Sequence, residues 1–358
     1  MITRIALTGG PCAGKSAGLK MLLERLQKNT GIKVFCSPEP ATLLVEGGLD
    51  WSYNTPERFV DFQCAFVKTQ VSLEDTFYIL AKSYNEPCVI VSDRGAMDGQ
   101  AFVSEEQFEE VAARMGSTID AFRDRYDAVI HLATAAKGAE KFYNHDNPAR
   151  HETLEEARES DTKLQKAYVG QPKVVPVLNA SGGFPEKLDV IYQTVCETCG
   201  VASAPADRQR RFRTAAPDTS KIDVVNVATQ WTVVALSNST KDDRHVIIDR
   251  STTNGHHVYF YQRTVNGVVK DFYRIDKAKF DELVPHKAAA LSGNMINFVW
   301  KDDYYEWFTV TEGAAEQSIL FVDRRSGERV ITAALPPFVG SPVEVTDEVA
   351  SLGALILI

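Results

Sequence analysis

The feature that most constrains this chain is a glycine-rich stretch near its start, GGPCAGKS at residues 9–16. It follows the apolar run Ile5, Ala6 and Leu7, which predicts a buried strand, and it precedes leucines at helical spacing. A strand, a loop of the pattern G-x-x-x-x-G-K-[ST] and a helix form a phosphate-binding unit, because the loop amides and the helix N-terminus converge on an anion. The stretch therefore predicts a nucleotide site on an α/β sheet.

The chemistry of phosphate binding assigns a role to each part of this P-loop, or Walker A motif. Lys15 is expected to reach the outer phosphates, and Ser16 is expected to hold a magnesium ion. The expected cofactors are ATP or GTP together with Mg²⁺. The guanine-reading pattern N-K-x-D does not occur in the sequence, so the choice between ATP and GTP stays open. The predicted nucleotide-binding residues are Gly9, Gly10, Pro11, Cys12, Ala13, Gly14, Lys15, Ser16 and Ala17.

Apolar segments and amphipathic segments alternate through the first 200 residues. This order predicts a doubly wound parallel sheet, in which function lies at the carboxyl ends of the strands. Glu39 follows the second predicted strand, and Asp93 follows the third. We expect Glu39 to hold a substrate hydroxyl or accept its proton, and Asp93 to serve the magnesium ion or to act as a general base. Lys15, Glu39 and Asp93 are therefore candidate catalytic residues.

A charged stretch at residues 142–170, between the fourth and fifth predicted strands, is the candidate lid over the phosphates. Its arginines Arg150 and Arg158 are further catalytic candidates, because guanidinium groups can neutralise charge that develops during phosphoryl transfer. A solvated helix with salt pairs four residues apart is the alternative reading of the same stretch.

The character of the sequence changes near residue 200. We predict a nucleotide-binding domain at 1–200, a linker at 201–212 that is rich in Ala, Pro, Ser and Arg, and a second domain at 213–358. The second domain reads as many short strands with Asn-Gly turns, which predicts an antiparallel sheet or barrel. Its first strand is expected in KIDVVNVATQW, residues 221–231.

Composition limits the binding partners and the cellular compartment that we expect for this chain. The chain is 44% hydrophobic and 24% charged, with a net charge of −9, so a duplex-binding protein is not expected. Apolar runs are too short for a membrane span, and no signal peptide is expected. Six scattered cysteines favour a reducing compartment. The expected location is the cytoplasm, including a peripheral position at membranes.

Four motifs carry a resemblance to a known family. GGPCAGKS, PEPATLLVEGG, VSDRGAMDG and ARHETLEEAR resemble the P-loop domain shared by NadR-like nicotinamide riboside kinase and the TRPL translocation defect family. This resemblance covers roughly residues 1–200 and implies a fold of the nucleoside-kinase type. In such kinases the acid after strand two and the Asp-Arg after strand three handle substrate and metal, which would assign those roles to Glu39 and Asp93.

The second half resembles the CYTH domain that follows the P-loop domain in the TRPL translocation defect family. GHHVYFYQRTVNG, FVWKDDYYEWFTV, SILFVD and FVGSPVEVTDEVAS carry this likeness. CYTH domains, as in thiamine triphosphatase, are tunnels that bind polyanions with Arg and Lys and hold metal with alternating Glu. The E-x-E-x-K pattern that catalysis requires is missing from KIDVVNVATQW. The candidate tunnel ligands that the resemblance implies are Arg250, Arg263, Arg274, Glu306, Asp323 and Glu344.

The sequence is compatible with three functions. The first is a Mg-dependent phosphotransferase or NTPase that acts on a small hydroxyl-bearing or phosphorylated substrate. The second is a nucleotide-regulated binding protein whose second domain recognises a phosphorylated ligand such as a phosphoinositide headgroup. The third, a CYTH triphosphatase, is disfavoured by the missing glutamates. The sequence leaves open the acceptor, the role of the second domain and the oligomeric state.

Overall fold

The computed structural model describes residues 1–144, 152–179, 183–202, 209–312, 317–323 and 335–345, and it describes only the backbone at 209, 312 and 323. The chain divides into two units, Met1–Val195 and Cys196–Ile358. No helix in the described ranges combines the length and apolarity needed to cross a bilayer. All six cysteines are free thiols.

The first unit is built on a five-stranded sheet in which every neighbouring pair of strands is parallel. Its order is β2-β3-β1-β4-β5. The strands are β1 (Ile2–Gly9), β2 (Lys33–Ser37), β3 (Cys88–Asp93), β4 (Ala128–Leu132) and β5 (Val174–Val177). The helices are α1 (Lys15–Thr30), α2 (Pro40–Glu46), α3 (Phe59–Tyr84), α4 (Glu105–Arg114), α5 (Ile119–Arg123), α6 (Leu154–Ala167) and α7 (Gly183–Thr198).

Short apolar strands and capped helices explain this arrangement. Strand β3 reads CVIVSD and is buried along its whole length, as expected for a parallel strand covered on both faces. Helix α6 begins at a capping box, in which Thr153 and Glu156 satisfy each other's backbone amides. Strand β1 lies between β3 and β4, so the chain changes direction across the sheet at this strand. Open α/β sheets bind ligands at such a crevice.

The second unit is an antiparallel sheet of nine described strands in the order β10-β9-β8-β7-β11-β12-β13-β6-β14. Helix α8 (Lys277–Leu283) follows β10. The strands are β6 (Gln209–Thr214), β7 (Asn226–Leu236), β8 (Asp243–Thr252), β9 (His257–Val265), β10 (Val268–Ile275), β11 (Lys287–Trp300), β12 (Asp303–Glu312), β13 (Ser318–Asp323) and β14 (Val343–Glu344). A parallel α/β sheet followed by an antiparallel β sheet confirms the predicted fold class.

Both faces of the antiparallel sheet carry apolar clusters. One cluster includes Trp231, Phe260 and Phe308, and we call its side of the sheet the inner face. The opposite side, the outer face, carries a cluster that includes Phe298 and Trp307. Side chains alternate between these faces along each strand, so the register decides which residues can meet.

The start of the second unit differs from the sequence-based expectation. Strand β6, QRRFRT, lies partly within the predicted linker, and its arginines concealed the alternation that places Phe212 in the core. Segment 221–231 contains only the beginning of β7, which starts at Asn226. Within the described residues the first strand of this unit is therefore β6, and its sequence also lacks the E-x-E-x-K pattern.

Candidate functional site

A cavity of about 1270 Å³ opens at the carboxyl edge of the parallel sheet. Residues 11–17 line one wall, directly after β1. Glu39 follows β2, Asp93 ends β3 and Asn179 follows β5, and all three side chains line the same cavity. The strand-end rule therefore brings residues far apart in sequence to one place.

The phosphate loop has a backbone suited to surround an anion. Gly14 lies immediately before α1 with φ 86°, a left-handed conformation that glycine adopts without a steric penalty. Cys12 also has a positive φ, 55°, which is uncommon for a residue with a side chain. Gly9 and Gly10 lie behind the lining residues, and their carbonyl oxygens accept hydrogen bonds from Lys15 Nζ at 2.7 and 3.0 Å.

Lys15 lies in an environment that disfavours its charge. Burial and the neighbouring cation Arg94 lower the pKa of Lys15 to about 7, although Asp93, Glu39 and Asp98 act in the opposite direction. A phosphate anion beside Lys15 would favour the protonated form. The ammonium group is therefore arranged to respond to a bound phosphate.

Arg94 connects the acidic residues of the cavity. Its backbone has φ 78°, and its guanidinium donates to Glu39 Oε1 at 3.1 Å, to Gly9 O at 3.0 Å and to Asp98 Oδ2 at 3.3 Å. Burial alone would raise the pKa of Glu39, but the charge and hydrogen bond of Arg94 outweigh burial and lower it. Glu39 thus remains an ionised acceptor, which also accepts a hydrogen bond from Thr42 Oγ1 at 2.9 Å.

The surroundings of the Asp93 carboxylate indicate whether this cavity suits a metal ion. The residue is 7% exposed, and its Oδ1 is buried without a hydrogen-bond partner in the described part of the chain. Burial and the nearby Glu39 raise the pKa of Asp93, which a bound cation would reverse. Ser16 lines the same cavity.

Magnesium fits this donor set. The described residues contain no cluster of three or more His, Cys, Asp or Glu side chains that could hold a metal alone. Mg²⁺ in phosphoryl-transfer sites keeps several waters and takes one or two protein groups together with the phosphates. Ser16 and Asp93 are therefore the residues that would hold it.

The cavity extends from the phosphate loop to an aromatic and amide-bearing wall. The rings of Trp51 and Phe66 are stacked, with centroids 5.4 Å apart and an interplanar angle of 8°. Gln70 is 3% exposed, and its Nε2 donates to Glu74 Oε1 at 2.7 Å. Its Oε1 is buried without a hydrogen-bond partner among the described residues. A second, polar and planar molecule could therefore be accommodated beside the phosphates.

Of the two candidate lid arginines, only Arg158 lies within the described residues. Arg150 lies outside the described residues. Arg158, on α6, is not among the lining residues of the cavity. It donates to Ala136 O at 2.7 Å, to Glu155 at 3.2 Å and to Glu140 at 3.3 Å. These contacts favour the alternative reading of Arg158 as a surface residue in salt pairs.

The six candidate tunnel residues do not converge. Arg250, Arg274 and Glu306 lie on the inner face, since their register partners include Trp231, Phe260 and Phe321 of that cluster. Arg263 lies on the outer face, where it binds both oxygens of Asp243 at 2.8 and 2.7 Å. Glu344 is also on the outer face and is paired with Arg210. The side chain of Asp323 lies outside the described residues.

Sequence reasoning missed several residues that line the cavity. Arg94 and Asp98 lie in the same motif as Asp93 but received no role. Asn179 follows the last parallel strand, so the strand-end rule could have found it. Lys187, 4% exposed, donates to Asn179 Oδ1 at 2.9 Å and to Ala133 O at 2.6 Å, and burial lowers its pKa to about 8. No local pattern indicates that this lysine is buried.

Among the comparisons with known proteins, the match to a family model agrees with the geometry of the first unit. A family model described as an AAA domain matches residues 4–187. No curated protein sequence matches this chain significantly. Solved structures with some likeness include the inorganic triphosphatase NE1496, at 15% identity and a TM-score of 0.29, covering 39% of this chain and 88% of that one. Another, the hypothetical protein NE1496, has 17% identity and a TM-score of 0.27, with 37% and 86% covered.

Proposed function

We propose that this chain, which belongs to the AAA domain family, transfers a phosphoryl group from ATP or GTP to a small acceptor held in the same cavity. The main support for this proposal is that the phosphate loop, Glu39 and Asp93 all line one cavity of about 1270 Å³. Single small-ligand pockets measure about 300–1,000 Å³, so this space is large enough for two ligands.

The proposed chemistry divides the work among residues already placed. Lys15 and Arg94 neutralise phosphate charge, since phosphoryl transfer depends mainly on positioning and electrostatic stabilisation. A magnesium ion held by Ser16 and Asp93 would contribute further positive charge. Glu39 orients the acceptor hydroxyl and takes its proton. Its lowered pKa suits a transition state in which the proton leaves late.

The nature of the acceptor is a finer proposal. The stacked Trp51 and Phe66 and the buried amide of Gln70 suit a planar group that carries hydrogen-bond donors and acceptors. Together with the motif resemblance, this wall supports an acceptor of the nucleoside or nicotinamide riboside type. Water in place of the acceptor would make the protein an NTPase.

Multiple-turnover assays test the proposal. Radiolabelled ATP and GTP are incubated with Mg²⁺ and a panel of nucleosides, including nicotinamide riboside. We expect acceptor-dependent product, and we expect Lys15→Ala to lose nucleotide binding in calorimetry. Glu39→Gln should lower turnover about a hundredfold while leaving nucleotide affinity near that of the wild type.

Glu46→Gln is the matched control, because Glu46 is an exposed carboxylate on the same cavity wall. It should retain wild-type turnover. Wild-type protein that binds neither nucleotide would contradict the proposal, as would Glu39→Gln turnover equal to that of the control.

A second candidate is a nucleotide-regulated binding protein whose second unit recognises a phosphorylated ligand, such as a phosphoinositide headgroup. The observation that favours it is that Arg250 and Arg274 lie on the same face of the antiparallel sheet. Guanidinium groups suit phosphate oxygens and stay charged when partly desolvated. Nucleotide binding without turnover for any acceptor, combined with headgroup binding by the intact protein, would favour this candidate.

A further inference from the structure

A fully buried carboxylate contacts the phosphate loop from a distant helix. Asp161, on α6, is 0% exposed. Its Oδ1 accepts the backbone N–H of Gly10 at 2.9 Å and that of Thr134 at 3.1 Å. Lys137 Nζ lies 3.0 Å from the other oxygen, Oδ2. One carboxylate oxygen therefore joins the phosphate loop to the segment that follows β4.

The segment after β4, residues 133–138, in turn holds the phosphate loop. Thr134 Oγ1 donates to Pro11 O, and the Ala135 N–H donates to Cys12 O at 3.3 Å. These two bonds fix the carbonyls on either side of the left-handed backbone at Cys12. Uncommon backbone conformations of this kind persist where the surroundings constrain them.

The ionised form of Asp161 is the one that the surroundings favour. Burial alone would raise the pKa of Asp161, but the His131 ring 3.4 Å from Oδ1, the Lys137 ammonium and the Gly10 N–H outweigh it and hold the pKa well below its usual range. Hydrogen bonds to an ionised acceptor are about twice as strong as neutral ones. Removing the carboxylate would leave two buried N–H groups without this acceptor.

The fit between Asp161 and the loop is close. A Cβ on Gly10 would lie 2.8 Å from Asp161 Cβ and 3.2 Å from Asp161 Cα, so only glycine permits this approach. Gly10 is the second residue of the motif, and residues 11–17, which line the cavity, follow directly. The contact therefore lies where a small shift of the backbone would change the direction of the loop amides.

We propose that Asp161 is a positioning residue that keeps the phosphate loop in its nucleotide-binding conformation, by holding the amides of Gly10 and Thr134. The inference rests on the proposed function, in that the loop binds nucleotide. Asp161 acts through the backbone of its partners rather than by touching the phosphates. Its loss should therefore weaken binding of nucleotide without changing the acceptor wall, which other elements form.

Calorimetry with MgATP and MgGTP on the full chain tests this role. Asp161→Ala should lower nucleotide affinity about tenfold or more, and Asp161→Asn should recover part of it because the amide oxygen can accept the same N–H groups. The KM for an acceptor should not change. Asp120→Ala is the control, because Asp120 is a buried carboxylate that pairs with Arg123 at 2.7 Å and is not among the cavity-lining residues. It should lower the melting temperature and leave nucleotide affinity unchanged.

Hydrogen exchange of the protein without nucleotide gives a second measurement, which does not depend on nucleotide affinity. The amides of Gly10 and Thr134 should be protected, and Asp161→Ala should make both exchange quickly. Exchange at the rate of unprotected amides in the wild type would overturn the role, as would wild-type nucleotide affinity in folded Asp161→Ala. Wild-type protein that binds neither MgATP nor MgGTP would instead overturn the proposed function, and this role with it.

Discussion

Nucleotide binding should be coupled to proton uptake by Lys15. Its ammonium donates to the carbonyl oxygens of Gly9 and Gly10, and burial together with Arg94 lowers its pKa to about 7. A bound triphosphate supplies several negative charges at this position and raises the pKa again. The complex should therefore carry one proton more than the free protein above pH 7.

The size of the effect follows from the pKa. At pH 8 about nine-tenths of the Lys15 side chains are neutral in the free protein, and at pH 7 about half are. Uptake should thus be about 0.9 proton per nucleotide at pH 8 and about 0.5 at pH 7, if the bound lysine is fully charged. By linkage, affinity should fall about fivefold between pH 7 and pH 8 and about ninefold between pH 8 and pH 9.

Titration calorimetry in two buffers with different ionisation enthalpies measures this uptake. Lys15→Arg is the control, because an arginine stays protonated throughout this range and takes up no proton. Lys187 also lines the cavity, and its pKa of about 8 would add to the uptake if phosphates approached it, so Lys187→Gln separates the two lysines. Uptake near zero at pH 8 and an affinity independent of pH between 7 and 9 would refute the reasoning.

Two further predictions test the metal site and the second unit. Asp93→Asn should lower Mg²⁺-dependent turnover about a hundredfold but should hardly change nucleotide binding measured without metal, because the carboxylate serves the cation; equal losses with and without magnesium would remove Asp93 from the metal shell. If the inner face binds phosphate, Arg250→Met should weaken tripolyphosphate binding by the full chain about tenfold, whereas Arg263→Ala on the outer face should not. Equal effects of the two arginine variants would argue against a site on the inner face.

The part of the site that could be predicted from the sequence follows from local patterns and one rule of topology. The phosphate loop is a contiguous motif, and its strand and helix are recognisable from hydrophobic spacing. Glu39 and Asp93 follow apolar strands, and parallel strands present their carboxyl ends at one edge of the sheet. Their shared cavity agrees with that expectation, and their catalytic roles remain predictions.

The supporting interactions could not be predicted in the same way. Arg94 has a left-handed backbone conformation and binds three partners, one of which is 85 residues away. Asp161 and Gly10 are separated by 151 residues. Hydrophobic periodicity reports which face of an element is buried, but it does not report which polar groups meet there. Such pairs depend on the packing of whole elements, which one sequence does not specify.

The second unit shows that assigning a residue to a strand does not tell which face of the sheet its side chain occupies. The pairing register of that strand must also be known. Arg250 and Arg263 both lie on strands that the sequence predicted, and β8 and β9 are neighbours. Their side chains nevertheless point to opposite faces, because Arg250 is opposite Val258 whereas Arg263 is opposite His245. A shift of one residue in either strand would reverse the assignment. The inner face therefore carries Arg250 and Arg274 without Arg263, so any phosphate site there must be smaller than the predicted set of six residues.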